Sequence, residues 1–201
     1  AGPYFDAITN AQIELLAQAI ACDITRFATL FLADLSFEGN PLGLPSDNHA
    51  NVAHTYRGSS LNSAPRVPGD PKTWLPLAKL NAYSFGKTAR LMQRLSELGA
   101  LDSTLIYTSG SMGDPAQHSP TNAPTLLAGG ANHKLRMGRR IRLHDDHCKN
   151  LALCVNGGAN DKRVLNNRLL VSIAQLFGVE IDSFGTQGEG TLAQGRLSEL
   201  T

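Results

Sequence analysis

The sequence predicts an α/β fold with a mostly parallel sheet. Segments with helical spacing of apolar residues alternate with short, unbroken apolar runs that are typical of buried strands. The chain has 201 residues, of which 42% are hydrophobic and 17% charged, so it is long and apolar enough to bury a core. The same composition excludes a disordered chain, a coiled coil and a collagen-like repeat.

The amino-terminal half predicts one helix, one strand and a long loop. Apolar residues recur at helical spacing over residues 5–21, and the run from Arg26 to Leu35 is rich in Phe, Thr and Leu, which predicts a buried strand. Residues 36–76 carry repeated prolines among many Gly, Asn and Ser, so a long irregular loop is expected there. Loops of this length inside compact domains are usually functional or disordered.

The remainder predicts two helices and further strands. Apolar spacing over 77–98, with Gly99 behind it, predicts a helix with a glycine cap, followed by a strand at 104–108. We expect this strand to lie parallel to the first, joined by a right-handed crossover. The other predicted elements are a strand at 125–128, a short exposed strand at 139–143 and a helix over 165–177 closed by Gly178.

Charge and hydropathy exclude two classes of partner. The formal net charge of +1 is too balanced for a general nucleic-acid binder. The longest apolar stretch, residues 27–35, is far shorter than the ~20 residues of a membrane-spanning helix, so no transmembrane segment is predicted. Ala1 leads almost directly into amphipathic sequence, which predicts a processed or truncated start.

Four polar residues are candidate metal ligands. His49 and His54 lie in the long loop, and Asp114 and His118 follow the 104–108 strand. Ligands of α/β sheets gather at the carboxyl ends of strands, and imidazole and carboxylate groups bind divalent metals, so we expect these four to converge. The alternatives remain open: Asp114 precedes Pro115 in the pattern of a helix cap, and loop histidines are often simply solvated.

Three weaker signals concern catalysis, anion binding and cysteine pairing. Ser111 lies where a nucleophile elbow would place a serine, although Ser109 replaces the first glycine of that motif. Arg139 and Arg140 belong to a basic cluster that could bind phosphate or sulfate, or could instead protect an edge strand. The spacing of Cys148 and Cys154 fits either a disulfide or two reduced thiols.

In combination, several segments resemble a bacterial domain-of-unknown-function family, number fifteen-fifty-two. The matching segments are Tyr4 to Arg26 with its Cys-Asp-Ile-Thr-Arg element, the loop of His49 and His54, Leu105 to His118, Ala123 to Gly130, and Asn166 to Gly185. They occur in order along nearly the whole chain.

The resemblance implies a fold like that of alkaline phosphatases and sulfatases, a three-layer α/β/α sandwich. Residues 1–201 would be the carboxyl-terminal half of one such domain, completed by the missing amino-terminal half or another subunit, in an oligomer or complex. It also implies a periplasmic or secreted location, which favours a disulfide between Cys148 and Cys154. The expected activity is hydrolysis of phosphate or sulfate esters with a divalent metal such as zinc, calcium or magnesium.

Carried over residue by residue, the resemblance places His49, His54 and His118 at metal-ligand positions. It provides no nucleophile, and Gly110 and Ser111 replace an adjacent Asp and His of the superfamily. A non-catalytic member, serving as a binding or structural subunit, is therefore the alternative to a hydrolase.

Overall fold

A computed structural model describes residues 4–32, 35–54, 74–113, 115, 118, 123–141, 166–185 and 194–200. These residues form a mostly helical structure with one two-stranded antiparallel sheet. The predicted α/β/α sandwich with a mostly parallel sheet is therefore wrong. The chain divides into two compact units, one formed by residues 1–101 and 106–129 and the other by residues 102–105 and 130–201.

Two helices of the first unit pack together and form its core. Helix α1 spans Phe5–Ala21 and helix α2 spans Leu75–Glu97, and the two are in direct contact. The core cluster consists of Ala17, Leu95 and Ala100, against which partly buried Ile, Ala and Leu side chains of both helices pack. The amphipathic spacing that predicts these helices is thus the spacing that fills the core.

Helix α2 ends as its sequence predicts. Gly99 has a φ of +70°, a left-handed conformation that glycine adopts without steric cost. The N–H of Ala100 donates to the carbonyl of Leu95 at 2.8 Å, and the N–H of Gly99 donates to Ser96 at 3.0 Å. These two bonds form a Schellman cap, which satisfies carbonyls that the end of the helix would otherwise leave unpaired.

A polar cluster joins α1 to α2 beside the core. Lys87 is buried, and its Nζ donates to Asp6 Oδ1 at 2.5 Å and to Asn10 Oδ1 at 2.7 Å. Tyr83 donates its hydroxyl to the same Asp6 oxygen at 2.9 Å, and its ring lies under Lys87 Nζ. Burial and the Asp6 carboxylate raise the pKa of Tyr83, while the hydrogen bonds from Lys87 and Tyr83 lower the pKa of Asp6.

The sheet is a hairpin within the first unit. Strand β1, Ile106–Ser109, pairs antiparallel with β2, Thr125–Ala128, with Ile106 opposite Ala128 and Ser109 opposite Thr125. The predicted parallel pairing of β1 with the 26–35 segment, and the crossover between them, are wrong. Strand β1 instead pairs with the next strand along the chain, for which no helical crossover is needed.

The predicted strand at 26–35 does not form in its described part, residues 26–32 and 35. Residues 27–32 run without helix, turn or bend, and belong to no sheet. The side chains of Phe27 and Phe31 are each 86% exposed, so the segment is not buried either. Leu35 beyond it is fully buried and has a φ of +61°.

The second unit contains helix α3, Asn166–Leu176, which ends with a second glycine cap at Gly178 as predicted. The hydroxyl of the buried Ser172 accepts a hydrogen bond from the N–H of Leu197 at 2.8 Å and so ties the 194–200 segment to α3. The predicted strand at 139–143 is absent from its described part, residues 139–141. None of the helices in the described ranges is both long and apolar enough to cross a bilayer.

Candidate metal centre

Three histidine side chains lie together in the first unit. His49, His54 and His118 each offer one imidazole nitrogen, and these three nitrogens lie within 4.8 Å of one another. The Nε2 atoms of His54 and His118 are the closest pair, at 3.1 Å. The ring centroids are separated by 4.7 Å for His49 and His54, 5.3 Å for His49 and His118, and 4.9 Å for His54 and His118.

A π-helical turn brings His49 and His54 together. The turn spans His49–Ala53, and the N–H of His54 donates to the carbonyl of His49 at 3.3 Å. In an α-helix, residues five apart would point about 140° away from each other. The wider π-turn closes over five residues and brings the two imidazoles together edge to face, with an interplanar angle of 75°. This turn is the feature that sequence reasoning missed, because spacing alone gives no signal for it.

The π-turn is held by a side chain before it and by the burial of a residue within it. Asp47 Oδ1 accepts a hydrogen bond from the N–H of Ala50 at 3.0 Å, and Val52 is buried; the turn also contacts α2. Upstream, the buried Asn40 side chain accepts from the N–H groups of Leu42 and Leu44 and donates to two carbonyls. The loop that the sequence predicts as irregular is therefore internally bonded where it leads into the site.

His118 approaches from the connection between β1 and β2. Its φ is +51°, in the left-handed region that costs a non-glycine residue free energy. Its N–H donates to the carbonyl of Pro115 at 3.2 Å, which closes a tight turn. The π-turn region and the β1–β2 connection thus bring together imidazoles that are 64 residues apart in the sequence.

Of the remaining predicted site residues, the structure describes Ser111, Arg139 and Arg140, and none of these is hydrogen-bonded to the three histidines. Ser111 is exposed just after β1, and no hydrogen bond links it to a histidine. Arg139 and Arg140 are exposed residues of the second unit, where Arg139 donates to the carbonyl of Arg136. Asp114, Cys148 and Cys154 lie outside the described residues.

The cluster is open to solvent and contains no charged partner among the residues that the structure describes. His49 and His118 are exposed and His54 is half-buried. No described carboxylate lies close enough to belong to the group, and the three imidazoles make their hydrogen bond and ring contacts with one another. The site therefore has three nitrogen ligands in reach of one ion and an open side.

No family profile, curated protein or solved structure matches the chain.

Proposed function

We propose that the chain binds one zinc-class divalent ion through His49, His54 and His118. The observation that carries the proposal is the spacing of their ligand nitrogens. A tetrahedral ion with Zn–N bonds of ~2.0–2.1 Å holds its ligand nitrogens about 3.3 Å apart. His54 and His118 already stand at 3.1 Å, and with all three nitrogens within 4.8 Å only small side-chain rotations are needed to complete the set.

The donor set favours some metals over others. Three neutral imidazoles suit zinc, copper, nickel and cobalt, whereas calcium and magnesium prefer oxygen ligands. Since the described cluster contains nitrogen donors alone, zinc fits it better than calcium or magnesium does.

Three protein ligands with an open side are typical of catalytic rather than structural zinc sites, which usually have four protein ligands. When bound, such an ion acts as a Lewis acid that activates water for attack on an ester. The histidines' part is to hold the ion at the solvent-facing side of the unit. The family resemblance supports phosphate and sulfate esters as the substrates and an extracytoplasmic location for this metal-dependent hydrolase.

A second candidate function is a non-catalytic metal-binding subunit. It is favoured by the surroundings of the cluster, because Ser111 makes no hydrogen bond to a histidine and no described carboxylate orients an imidazole. Carboxylates that orient metal-bound histidines commonly raise affinity and activity.

Zinc titration by calorimetry tests the proposal. We expect one zinc per wild-type chain, binding at least about tenfold weaker in His54→Ala, and unchanged binding in the control His133→Ala. His133 is an exposed histidine of the second unit. Equal affinity in the two variants, or no zinc binding by the wild type, would overturn the metal site.

Turnover of nitrophenyl phosphate and nitrophenyl sulfate by the zinc-loaded protein then separates the two candidate functions. Hydrolysis that is lost both on chelation and in His54→Ala supports the hydrolase. Stoichiometric zinc without turnover of either ester supports the non-catalytic subunit.

A further inference from the structure

The segment 27–32 combines a strand-forming sequence with an unpaired backbone. It reads Phe-Ala-Thr-Leu-Phe-Leu, with no charge, Gly or Pro, a composition that strongly favours strand pairing. Within the described chain, the backbone N–H and C=O groups of residues 28–32 make no hydrogen bond. The segment itself carries neither a charge nor a proline, two devices by which proteins commonly protect a strand edge.

The side chains of residues 29–32 alternate as those of a strand do. Leu30 and Leu32 are half-buried against the unit, whereas Thr29 and Phe31 are exposed, and Phe27 and Ala28 before them are exposed as well. Successive residues of a strand point to opposite faces, so the two phenylalanines and the threonine share the outward face. The segment therefore presents an aromatic face together with free backbone donors and acceptors.

We propose that this segment pairs antiparallel with the same segment of a second copy of the chain, about a two-fold axis at Thr29. In such a pair, apolar residues lie opposite one another on both sides of Thr29. Phe27 of each copy lies opposite Phe31 of the other, and Ala28 lies opposite Leu30. Directly opposed aromatic residues stabilise antiparallel pairs, and a two-fold arrangement closes on itself as a dimer.

The charges around the segment permit a second copy as the partner, and the available area sets how tightly it can bind. No charge lies within the paired residues, and the flanking Arg26 is already bonded to Asp23 of its own chain at 2.9 Å, so no like charges meet. Even with all four phenylalanine rings, two from each copy, fully covered at ~150–250 Å² each, the buried area would reach only roughly 600–1,000 Å². That area lies below the ~1,200 Å² of stable complexes, so we expect a weak, concentration-dependent dimer.

Sedimentation of the full chain between about 1 µM and about 1 mM tests the dimer, since weak complexes dissociate in that range. We expect the wild type to shift from monomer to dimer, and both Thr29→Pro and the double variant Phe27→Lys with Phe31→Lys to stay monomeric. Proline removes the central N–H of the strand, and the lysines oppose like charges across the pair. The control is Leu15→Lys, which changes another side chain that is 72% exposed and should leave the dimer intact.

Cross-linking tests the register in a background with Cys22, Cys148 and Cys154 changed to Ser. Thr29→Cys should form a disulfide-linked dimer faster than Ala28→Cys, because only residue 29 lies opposite itself. A wild type that stays monomeric at every concentration overturns the proposal. A dimer lost in Leu15→Lys, equal cross-linking of both cysteine variants, or open-ended assembly would also overturn it. As a control, each variant should unfold thermally at the same temperature as the wild type, which would show that it is folded.

Discussion

The Nε2 atoms of His54 and His118 lie 3.1 Å apart although 64 residues separate the two histidines. This contact joins the π-turn region to the β1–β2 connection, two parts of the first unit that local sequence does not relate. At this distance one nitrogen must donate and the other accept. A metal ion between the rings would replace that shared proton and link the same two segments through stronger bonds.

Zinc should therefore stabilise the fold. A ligand that binds only the folded state adds about 2.7 kcal/mol to the free energy of unfolding at a hundredfold excess over its dissociation constant. We expect zinc to raise the thermal unfolding midpoint of the wild type and of His133→Ala, but not of His118→Ala. A midpoint that rises equally in His118→Ala would show that the ion binds elsewhere. Calorimetric scans with zinc and with a chelator make the comparison.

The ion pair of Asp6 with Lys87 should matter more than that of Asp23 with Arg26. The Lys87 side chain is only 10% exposed, whereas both partners of the second pair are mostly in water. Removing Asp6 leaves a buried ammonium with Asn10 as its remaining oxygen partner, so Asp6→Ala should cost about 2 kcal/mol of unfolding free energy. Asp23→Ala should leave the unfolding free energy unchanged, because exposed pairs contribute little. Urea denaturation of both variants tests this, and equal losses would contradict it.

Acid should weaken the α1–α2 contact through Asp6. Hydrogen bonds from Lys87 and then Tyr83 lower its pKa below the ordinary value of 3.8. A carboxyl with a lowered folded-state pKa stabilises the fold above its unfolded pKa, and this contribution disappears as the pH falls through the folded value. Between about pH 7 and about pH 2.5, the wild type should thus lose more unfolding free energy than Asp6→Asn does. Urea denaturation of both proteins at the two pH values tests this. An equal loss of unfolding free energy in the wild type and in Asp6→Asn would show that Asp6 is not the cause.

The helices were predictable because their signals are local. Apolar spacing over 5–21 and the cap at Gly99 involve contacts within a few residues, and both features are confirmed. Sheet topology was not predictable, because the apolar run at 26–35 and the strand at 125–128 resemble each other in composition. The two segments differ in that only 125–128 has a strand to pair with, and this depends on how distant parts of the chain are arranged.

The candidate site was likewise predictable only in part. Their position beside predicted strands and the family resemblance select His49, His54, Asp114 and His118 as ligand candidates, and the structure brings the three histidines together. The parallel-sheet rule that suggested their meeting place does not apply to an antiparallel hairpin. What assembles them is a π-turn and the left-handed backbone of His118, neither of which has a sequence signature.

Two glycines should respond oppositely to alanine. A Cβ on Gly130 would collide with the carbonyl oxygen of Asp102 and lie 2.7 Å from its Cα, so the backbone would have to move. The N–H of Asn132 donates to that same carbonyl at 2.7 Å. Moving the carbonyl away from the new Cβ would therefore also disturb this hydrogen bond of the second unit. We expect Gly130→Ala to cost about 1–3 kcal/mol, as overpacked sites do.

Gly86 is the matched control for this substitution. It lies inside α2, where an added Cβ meets no atom within 4 Å. Alanine is the better helix former and restricts the unfolded chain, so Gly86→Ala should stabilise the fold by about 0.5–1 kcal/mol. Urea denaturation of the two variants measures the expected decrease and the expected increase in the free energy of unfolding. If Gly130→Ala proved as stable as the wild type while Gly86→Ala behaved as expected, the close approach of Gly130 to Asp102 would not exist in solution.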